Sequence, residues 1–344
     1  MESTRKKIAV VIPAYNVEKT IVKVLDGIPK IVDDIVVVND ASKDATEELI
    51  RGVKDKRITL ISHKKNMGVG GAVLSGYSCA LGLGAEIVVK LDGDDQMDAA
   101  RLPHLIEPIL AGQADYTKGN RFLHLTALKK MPLQRKIANL GLTFLTKFAS
   151  GYWNIFDPAN GYTAIAASKL AALDPRSIAR NYFFETSMLC ELRKLDAVVR
   201  DVPMPAIYQQ ERSSVRMLRE LFIFSNNLTA RIFKRFITRY FLYDFSAVSL
   251  YLILGFLFCL FGGVWGIVKW AQSAQTGVAA TTGTVLIAVL PIILGFQLLI
   301  QAMSLDISDV PDVVQHLAFP VEKGMAGYLQ EKLDEGLLTL NRNP

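Results

Sequence analysis

The sequence Ile87-Val-Val-Lys-Leu-Asp-Gly-Asp-Asp-Gln96 is the most informative segment of this chain for its fold class. Its first half is a short apolar run rich in β-branched residues, which is typical of a buried strand. Asp92, Asp94 and Asp95 follow where this strand ends, and in open α/β sheets ligands bind outside the carboxyl ends of the strands. Two carboxylates separated by a small residue can converge on one Mg²⁺, which also accepts substrate phosphates. A solvated acidic turn would use the same residues, but the position after a central strand favours a binding site.

The sequence around this stretch alternates strands and helices. Strands are predicted at 8–12, 35–38 and 58–61 before the one at 87–90, and helices at 17–28, 45–53 and 72–81. This alternation predicts a mostly parallel sheet of the α/β class. Asn16, Asp40 and Asp92 follow three of these strands, so we expect them to lie along one edge of the sheet.

The residues at that edge suit a nucleotide, although two common nucleotide-binding motifs are missing. Pro13-Ala-Tyr-Asn16 follows the first strand, where a dinucleotide fold carries Gly-x-Gly-x-x-Gly. The sequence contains no Gly-Lys-Ser or Gly-Lys-Thr, which excludes a P-loop. Gly68, Gly70 and Gly71 follow a later strand, and we expect them to let the chain pass close to a ligand. The remaining interpretation is a base and ribose pocket made by loops, with a metal ion against the diphosphate.

Two uncharged runs near the C-terminus predict membrane-spanning helices. Residues 245–268 and 271–305 contain no charged side chain, and about 20 apolar residues cross a bilayer core. Two buried core helices are the alternative, but globular interiors seldom need two such stretches. Basic residues precede the first run, at 231–239, and the positive-inside rule then places both flanks in the cytoplasm.

Two basic stretches with interleaved apolar residues predict helices that lie on a membrane surface, at about 128–150 and at 216–243. A helix packed on the sheet with a solvated basic face would show the same pattern, but the downstream spans favour the membrane. The net charge of +6 is modest and its basic part clusters near the apolar runs, which favours a membrane over nucleic acid. The three cysteines and four histidines show neither a disulfide framework nor a zinc-site spacing.

Four motifs, in chain order, carry a specific resemblance to a known family. They are Pro13-Ala-Tyr-Asn16 with Glu18, Val37-Val-Asn-Asp-Ala-Ser-x-Asp44, Lys65-Asn-x-Gly-x-Gly-Gly-Ala72 and Leu91-Asp-Gly-Asp-Asp-Gln96. Together they resemble the family 2 glycosyltransferases of GT-A fold.

Later segments resemble one branch of that family, the polyprenyl-phosphate (dolichyl-phosphate mannose synthase-like) enzymes. These segments are Lys118-Gly-Asn-Arg121, Asp157-Pro-Ala-Asn-Gly-Tyr162, Phe183-Phe-Glu185 and the two apolar runs. That branch often carries Arg-x-x-Gly-x-Ser-Lys after the last strand. This chain has Glu211-Arg-Ser-Ser-Val215 there, which keeps the arginine and lacks the glycine and the lysine.

The resemblance implies an enzyme, a hexosyltransferase. It would move a hexose from a nucleotide diphosphate sugar, such as UDP-glucose or GDP-mannose, to polyprenyl (undecaprenyl) phosphate with inversion. Mg²⁺ or Mn²⁺ is the implied cofactor, with Asp92, Asp94 and Gln96 as metal ligands. Asp94 and Asp157 are the implied catalytic residues, and Asp157 would orient the acceptor or the sugar unless it is only a turn residue before Pro158.

The same resemblance implies two groups of binding residues. The nucleotide sugar would contact Pro13, Ala14, Tyr15, Asn16, Glu18, Asp40, Asn66 and Asp92. The phosphate of the acceptor would contact Arg121, Arg135 and Arg212.

The predicted architecture is α/β, with a GT-A domain whose Rossmann-like sheet is mostly parallel, amphipathic interfacial helices and two transmembrane helices. The expected segments are a GT-A domain at 1–215, an interfacial helix at 216–243, a two-helix transmembrane region at 245–303 and a cytoplasmic tail at 304–344. The protein is expected in the inner (cytoplasmic) membrane, as an integral protein with its catalytic domain in the cytoplasm. The expected partners are the nucleotide sugar, the polyprenyl phosphate and the membrane, without nucleic acid, and the pattern leaves room for a homo-oligomer.

Two other classes of protein remain as alternatives. A polysaccharide synthase acting on a sugar hydroxyl would need a Gln-x-x-Arg-Trp-type segment and more membrane spans. A non-catalytic membrane scaffold with the same fold would be marked by loss of the carboxylates, which this sequence retains.

Overall fold

The computed structural model describes residues 5–121, 133–158, 160–204, 228–315 and 324–342, apart from the side chains of 133–139 and 342. The chain divides into two compact units. The first contains Met1–Leu228 and Pro311–Pro344, and the second contains Thr229–Val310.

The first unit is built on one sheet of eight strands. They are β1 (Ile8–Ala14), β2 (Asp34–Asn39), β3 (Ile58–His63), β4 (Ile87–Lys90), β5 (Tyr116–Asn120), β6 (Thr163–Ala166), β7 (Val199–Pro203) and β8 (Leu338–Arg342). Their order across the sheet is β7-β5-β6-β4-β1-β2-β3-β8. β1 pairs in parallel with β2 and β4, as do β2 with β3 and β5 with β7, whereas β6 and β8 run antiparallel to their neighbours. The mostly parallel α/β sheet predicted from the sequence is confirmed.

The helices alternate with these strands in the first half of the chain. They are α1 (Ile21–Asp26), α2 (Thr46–Gly52), α3 (Gly68–Gly82), α4 (Leu102–Leu110), α5 (Leu133–Ser150), α6 (Ala167–Ala171), α7 (Phe184–Lys194), α8 (Ala247–Thr276), α9 (Thr282–Ser308) and α10 (Tyr328–Asp334). Short 3₁₀ turns lie at Ala99–Arg101 and Met325–Gly327, and a π-helix lies at Thr238–Tyr243.

The central strands are apolar because helices cover both faces of the sheet. Val10 and Ile12 point into a core that includes residues of α1 and α4. Val11, between them, points to the opposite face, where a Cβ on Gly76 of α3 would lie 2.2 Å from its side chain. Since β4, β1 and β2 are parallel neighbours, their carboxyl ends meet at one edge. This arrangement brings Asn16, Asp40 and Asp92 to the same edge, as predicted.

Helix α3 begins at Gly68, four residues before the predicted start at residue 72. A Cβ on Gly68 would lie 2.4 Å from the carbonyl oxygen of Arg180, and one on Gly70 would lie 2.2 Å from that of Ala179. The Gly70 N–H also donates a hydrogen bond of 2.9 Å to the Arg180 carbonyl. These two glycines therefore admit the backbone of residues 179–180, which differs from the predicted contact with a ligand.

The C-terminal residues complete the sheet. The sequence predicts only weak helical structure in the tail, whereas residues 324–342 form α10 and the edge strand β8. The Ser78 hydroxyl of α3 donates to the Ala326 carbonyl at 3.0 Å and accepts from the Leu329 N–H at 2.9 Å. The tail from Pro311 onward thus belongs to the same compact unit as β1–β7, whereas residues 304–310 belong to the second unit.

Helices α8 and α9 form the centre of the second unit, and each is long and apolar enough to cross a membrane. They pack closely through glycines: a Cβ on Gly295 would lie 2.7 Å from the Gly255 carbonyl oxygen. Their outward faces carry exposed apolar side chains, such as Phe256, Ile267 and Phe296. Apolar surfaces of this extent mark a membrane or protein contact.

The two predicted interfacial helices are described in part. Residues 128–132 and 216–227 lie outside the described residues, whereas 133–150 form α5 and 228–243 are helical. Leu140 of α5 is 72% exposed, and Phe144 is also exposed. In the second unit, Arg235 makes two hydrogen bonds, of 2.7 and 2.9 Å, to the Asp306 carboxylate near the end of α9. This ion pair ties the segment before the first apolar helix to the end of the second.

Candidate active site

The loops after β1 and β2 brace each other at the carboxyl edge of the sheet. The Asn16 N–H donates to the Ser42 hydroxyl at 3.0 Å, and the Asn16 side-chain oxygen accepts from the Lys43 N–H at 2.9 Å. The Glu18 carboxylate accepts from the Ala45 N–H at 3.1 Å. Asn16 has a φ of +53°, a left-handed conformation that asparagine adopts more readily than most residues. Asn16 and Glu18, both predicted to bind the nucleotide sugar, therefore hold the two loops together and are also exposed to solvent.

An open cleft of about 560 Å³ lies between these loops and the acidic stretch. It is lined by Asn16, Val17, Glu18, Lys19, Thr20, Lys43, Asp44 and Asp94. The cleft therefore brings the predicted residues Asn16, Glu18 and Asp94 together, and Tyr15, beside it in sequence, is exposed. Lys19 and Lys43 were not predicted from the sequence, because exposed lysines in loops carry no distinctive pattern.

The acidic stretch turns its carboxylates in different directions. Asp94 lines the cleft, and one of its oxygens accepts from the Gln96 N–H at 3.1 Å. Asp95 forms an ion pair with Lys23 of α1 instead. The Thr20 hydroxyl donates to the Gly93 carbonyl at 2.7 Å and anchors the turn. The stretch is thus held from the β1 side while Asp94 stays available to a ligand.

Asp92 lies close enough to Asp94 to affect the ionisation of Asp94. Burial, followed by the negative charge of Asp92, raises the pKa of Asp94 above its ordinary value. A cation shared by the two carboxylates would relieve this repulsion, and carboxylate oxygens are the donors that Mg²⁺ and Mn²⁺ prefer. These residues fit a divalent cation of that kind.

Lys90 is a buried lysine that the sequence interpretation did not select. Its ammonium has three acceptors: an Asp92 carboxylate oxygen at 2.6 Å, the Gly161 carbonyl at 3.2 Å and a Glu185 carboxylate oxygen at 3.3 Å. Burial alone lowers the pKa of Lys90, but the Asp92 and Glu185 carboxylates raise it above its ordinary value, so the ammonium is charged. The sequence signal was a lysine inside an otherwise apolar strand, since lysine is almost never fully buried unless paired.

Gly161 leaves room for this ion pair. A Cβ at position 161 would lie 2.5 Å from the Lys90 ammonium nitrogen and 2.6 Å from the second Asp92 oxygen. The Asn-Gly step in the 157–162 segment therefore has a steric reason, because a side chain at 161 would displace the acidic stretch.

Arg121 and Asp157, predicted for the acceptor phosphate and for catalysis, are partners of each other. The Arg121 guanidinium donates two hydrogen bonds to the Asp157 carboxylate, of 2.8 and 3.1 Å. The Asp157 side chain is 1% exposed and that of Arg121 is 37% exposed. The loop before Asp157 is held by Asp201, whose carboxylate accepts from the Phe156 N–H at 2.8 Å. Asp157 is thus buried beneath an arginine that reaches the surface.

Asp40 and Asn66 meet at the start of α3. The Asp40 carboxylate accepts from the Met67 and Gly68 N–H groups at 2.8 and 2.9 Å. The His63 ring nitrogen Nδ1 lies 2.7 Å from the same carboxylate, and the Asn66 amide donates to the Asp40 carbonyl at 3.3 Å. Asp40 is therefore fully engaged by the protein, and its contact with a base or ribose stays a prediction.

The other predicted site residues have simpler environments. Ala14 is buried at the end of β1, where its carbonyl accepts from the Asp40 N–H at 2.9 Å, and Pro13 is partly buried beside it. Arg135 lies in α5, but its side chain is among those not described. Arg212 lies outside the described residues.

Comparison with known proteins places this chain among sugar-transferring enzymes. The family model for glycosyl transferase family 2 matches residues 9–173. A UDP-N-acetylglucosamine–dolichyl-phosphate N-acetylglucosaminyltransferase of Methanococcus voltae is 32% identical over 220 residues, which cover 60% of this chain and 87% of that protein. An undecaprenyl-phosphate mannosyltransferase of Micrococcus luteus is 26% identical over 211 residues, covering 59% of this chain and 85% of that protein.

A solved structure of low sequence identity shows the same fold. Glucosyl-3-phosphoglycerate synthase of Mycobacterium tuberculosis, in complex with Mn²⁺, UDP and glucosyl-3-phosphoglycerate, aligns with a TM-score of 0.50 at 22% identity. The alignment covers 67% of this chain and 80% of that chain. The predicted GT-A fold class is thereby confirmed. The chain belongs to glycosyl transferase family 2 and is a glycosyltransferase.

Proposed function

We propose that this glycosyltransferase moves a hexose from a nucleotide diphosphate sugar to a polyprenyl phosphate at the cytoplasmic face of a membrane, with inversion. The observation that carries the proposal is the Asp92–Asp94 carboxylate pair, of which Asp94 lines the cleft, in a chain that continues into two apolar helices. The two relatives named above support the acceptor class, since their names specify dolichyl and undecaprenyl phosphate.

The donor would lie in the cleft at the carboxyl edge of the sheet. Asn16 and Glu18 line this cleft with Asp94, and Lys19 and Lys43 add positive charge that suits phosphates. The solved neighbour with UDP and Mn²⁺ supports a nucleotide and a metal ion in this fold. Asp92 and Asp94, with Gln96, would hold Mg²⁺ or Mn²⁺, which acts as a Lewis acid on the diphosphate leaving group.

The acceptor would approach from the side of α5 and Arg121. Exposed apolar residues on α5, such as Leu140 and Phe144, suit contact with a lipid surface. Arg121 reaches the surface and presents a guanidinium, which can donate two hydrogen bonds to a phosphate and stays charged. A phosphate whose second pKa is about 6 is largely dianionic at neutral pH, so attack on the sugar needs no strong general base.

The direct test is transfer by the purified full-length protein in detergent. We expect a labelled glycolipid from undecaprenyl phosphate, Mg²⁺ or Mn²⁺ and one member of a donor panel of UDP-glucose, UDP-N-acetylglucosamine and GDP-mannose. Chelation by EDTA should abolish the product, and re-addition of the metal should restore it. Transfer to a sugar hydroxyl but not to undecaprenyl phosphate would favour the polysaccharide-synthase alternative.

The fold also supports the proposed topology. The segments before α8 and after α9 both return to the first unit, where β8 pairs with β3. A folded unit lies in one compartment, so both flanks of the α8–α9 hairpin are on the same side of the membrane. The basic residues before α8 favour the cytoplasm as that side.

Cysteine labelling checks this topology in intact cells. In a chain lacking Cys79, Cys190 and Cys259, we expect a membrane-impermeant maleimide to label A279C, in the loop between α8 and α9. The same reagent should label K56C, on the exposed surface of the first unit, only after the cells are permeabilised. Labelling of K56C from outside intact cells would contradict the proposed orientation.

A further inference from the structure

We propose that Lys90 is an internal counter-ion that keeps the carboxylate pair a weak cation site until a nucleotide diphosphate is present. This inference rests on the proposed metal site at Asp92 and Asp94 and extends it to the last residue of β4, the strand that precedes them. It concerns the affinity for the cation, and it predicts that the metal ion and the diphosphate each bind more tightly when the other is bound.

Lys90 is buried and is held by acceptors from three parts of the fold. Its side chain is 1% exposed, and its acceptors come from three separate elements: Asp92 after β4, Gly161 before β6 and Glu185 in α7. The ammonium already uses one oxygen of Asp92. The second Asp92 oxygen lies against Gly161, where a Cβ would be 2.6 Å away.

The charges around Asp92 and Asp94 explain why cation binding is expected to be weak without a diphosphate. Asp92, Asp94 and Glu185 contribute three negative charges when ionised, and the Lys90 ammonium cancels one of them from within hydrogen-bond distance of Asp92. A cation bound to Asp92 is therefore also repelled by a fixed positive charge. Electrostatic interactions at partly buried sites are much stronger than in water and less screened by salt.

A diphosphate changes this balance because it brings its own negative charge to the cleft. Bound beside Asp94, it would offset the Lys90 ammonium and supply further oxygen ligands to the cation, which Mg²⁺ normally takes from substrate phosphates. Binding of the metal and of the diphosphate must then strengthen each other by the same factor, since coupling between two sites is reciprocal.

A simpler role for Lys90 would be to orient Asp92 for the metal. The two roles predict opposite signs. Removing an orienting lysine loosens Asp92 and weakens cation binding, whereas removing a counter-ion frees an oxygen, leaves the site more negative and strengthens it. The sign of the change in Mn²⁺ affinity therefore decides between them.

The experiment measures free Mn²⁺ by electron paramagnetic resonance during titration of the purified full-length protein, alone and with UDP or GDP in parallel. For Lys90→Met without nucleotide we expect Mn²⁺ binding about tenfold tighter than wild type, a change of about 1.4 kcal/mol. The enhancement of Mn²⁺ affinity by the nucleotide should shrink correspondingly. Lys90→Arg keeps the charge and should stay close to wild type.

A second variant and a matched control complete the design. Glu185→Gln removes a negative charge 3.3 Å from the Lys90 ammonium and should weaken Mn²⁺ binding, the opposite of Lys90→Met. Lys169 is equally buried and lies 3.8 Å from the Asp115 carboxylate, after the far end of β6. Lys169→Met therefore reproduces the loss of a buried lysine and should leave Mn²⁺ affinity unchanged.

Weaker or unchanged Mn²⁺ binding by Lys90→Met, with a normal wild-type titration, would overturn the inference and leave the metal site intact. Absence of Mn²⁺ binding by the wild-type protein even with nucleotide would overturn the proposed metal site and this inference with it. Should Lys90→Met fail to fold, Glu185→Gln carries the test, and tighter binding by that variant would refute the counter-ion role.

Discussion

The Asp94→Asn variant is expected to lose at least about 10³-fold in kcat for sugar transfer, which corresponds to roughly 4 kcal/mol of transition-state stabilisation. Asparagine keeps the shape of the side chain and removes the charge that faces the cleft. A metal ion acting as Lewis acid supplies several kcal/mol to a reaction of this kind, and it depends on its carboxylate ligands. The loss should appear in kcat and in Mn²⁺ binding together.

The fold should survive this substitution. One Asp94 oxygen accepts a hydrogen bond from the Gln96 N–H, and the asparagine carbonyl can accept the same bond. Loss of the charge also removes the cost of burying an ionised carboxyl and the repulsion from Asp92, which together raise the pKa of Asp94. We therefore expect the melting temperature of Asp94→Asn to equal or slightly exceed that of the wild type, so a loss of turnover cannot be attributed to unfolding.

Asp95→Asn is the matched control for Asp94→Asn. Asp95 belongs to the same turn, but its carboxylate pairs with Lys23 of α1 and not with the cleft. Its φ of +60° is a conformation that asparagine tolerates. This variant should retain turnover within about threefold of wild type, since pairs with an exposed lysine contribute little. Near-normal transfer by Asp94→Asn, or an equal loss in Asp95→Asn, would refute the assignment of Asp94.

The polar residues at the carboxyl edge of the sheet could be predicted, because the sequence features that identify them are local. Each of β1, β2 and β4 contains an apolar run of at least three residues, which a strand buried on both faces requires, and each run is followed within a few residues by a polar side chain. Once the strands are parallel, the position of Asn16, Asp40 and Asp92 at one edge follows without knowledge of the side-chain contacts.

The ion pairs and packing contacts around this edge could not be predicted, because they join segments that are distant in sequence. Lys90 and Glu185 approach to 3.3 Å although 95 residues separate them in sequence. The Gly68 start of α3 was missed for a related reason: glycine has a low intrinsic helix propensity, and only packing against residues 179–180 explains a helix there. Strand β8 has five residues, and its pairing with β3 depends on the chain returning from the apolar hairpin.

Because Arg121 pairs with Asp157, removing the arginine is expected to affect both turnover and stability. We expect Arg121→Ala to lower turnover with polyprenyl phosphate by one to two orders of magnitude, because a guanidinium that binds the acceptor phosphate would be gone. Binding of the donor nucleotide, measured by calorimetry without lipid, should stay within about twofold of wild type, because Arg121 does not line the donor cleft.

Arg121→Ala has a second effect, because it leaves the buried Asp157 carboxylate without a cation that donates two hydrogen bonds to it. Removing one partner of a buried ion pair costs about 3–5 kcal/mol. Arg121 is 37% exposed, so water can reach the vacated space and the cost should fall below that range. A lower melting temperature is therefore expected, and it must be separated from the loss of turnover.

The double variant Arg121→Ala/Asp157→Asn makes that separation. Asparagine at 157 has no charge to leave unpaired, so the double variant should regain most of the melting temperature lost by Arg121→Ala. If Arg121 contacts the acceptor phosphate, turnover of the double variant should fall well below that of Asp157→Asn alone. If Arg121 serves only to hold Asp157, turnover in the double variant should equal that of Asp157→Asn alone.

Arg57→Ala is the matched control for an arginine that pairs with a carboxylate. Arg57 also donates from two guanidinium nitrogens to an aspartate, Asp55, and it donates in addition to the Pro29 and Val32 carbonyls, but it precedes β3 and lies at the opposite edge of the sheet. Its removal should lower the melting temperature, because Asp55 and two backbone carbonyls lose a donor, and should leave the KM for polyprenyl phosphate unaltered. An Arg121→Ala variant that weakens donor binding and leaves lipid dependence alone would instead assign Arg121 to the nucleotide-sugar pocket. The acceptor phosphate would then need another cation, since the fixed charge that reaches the surface beside Asp157 would be committed to the donor.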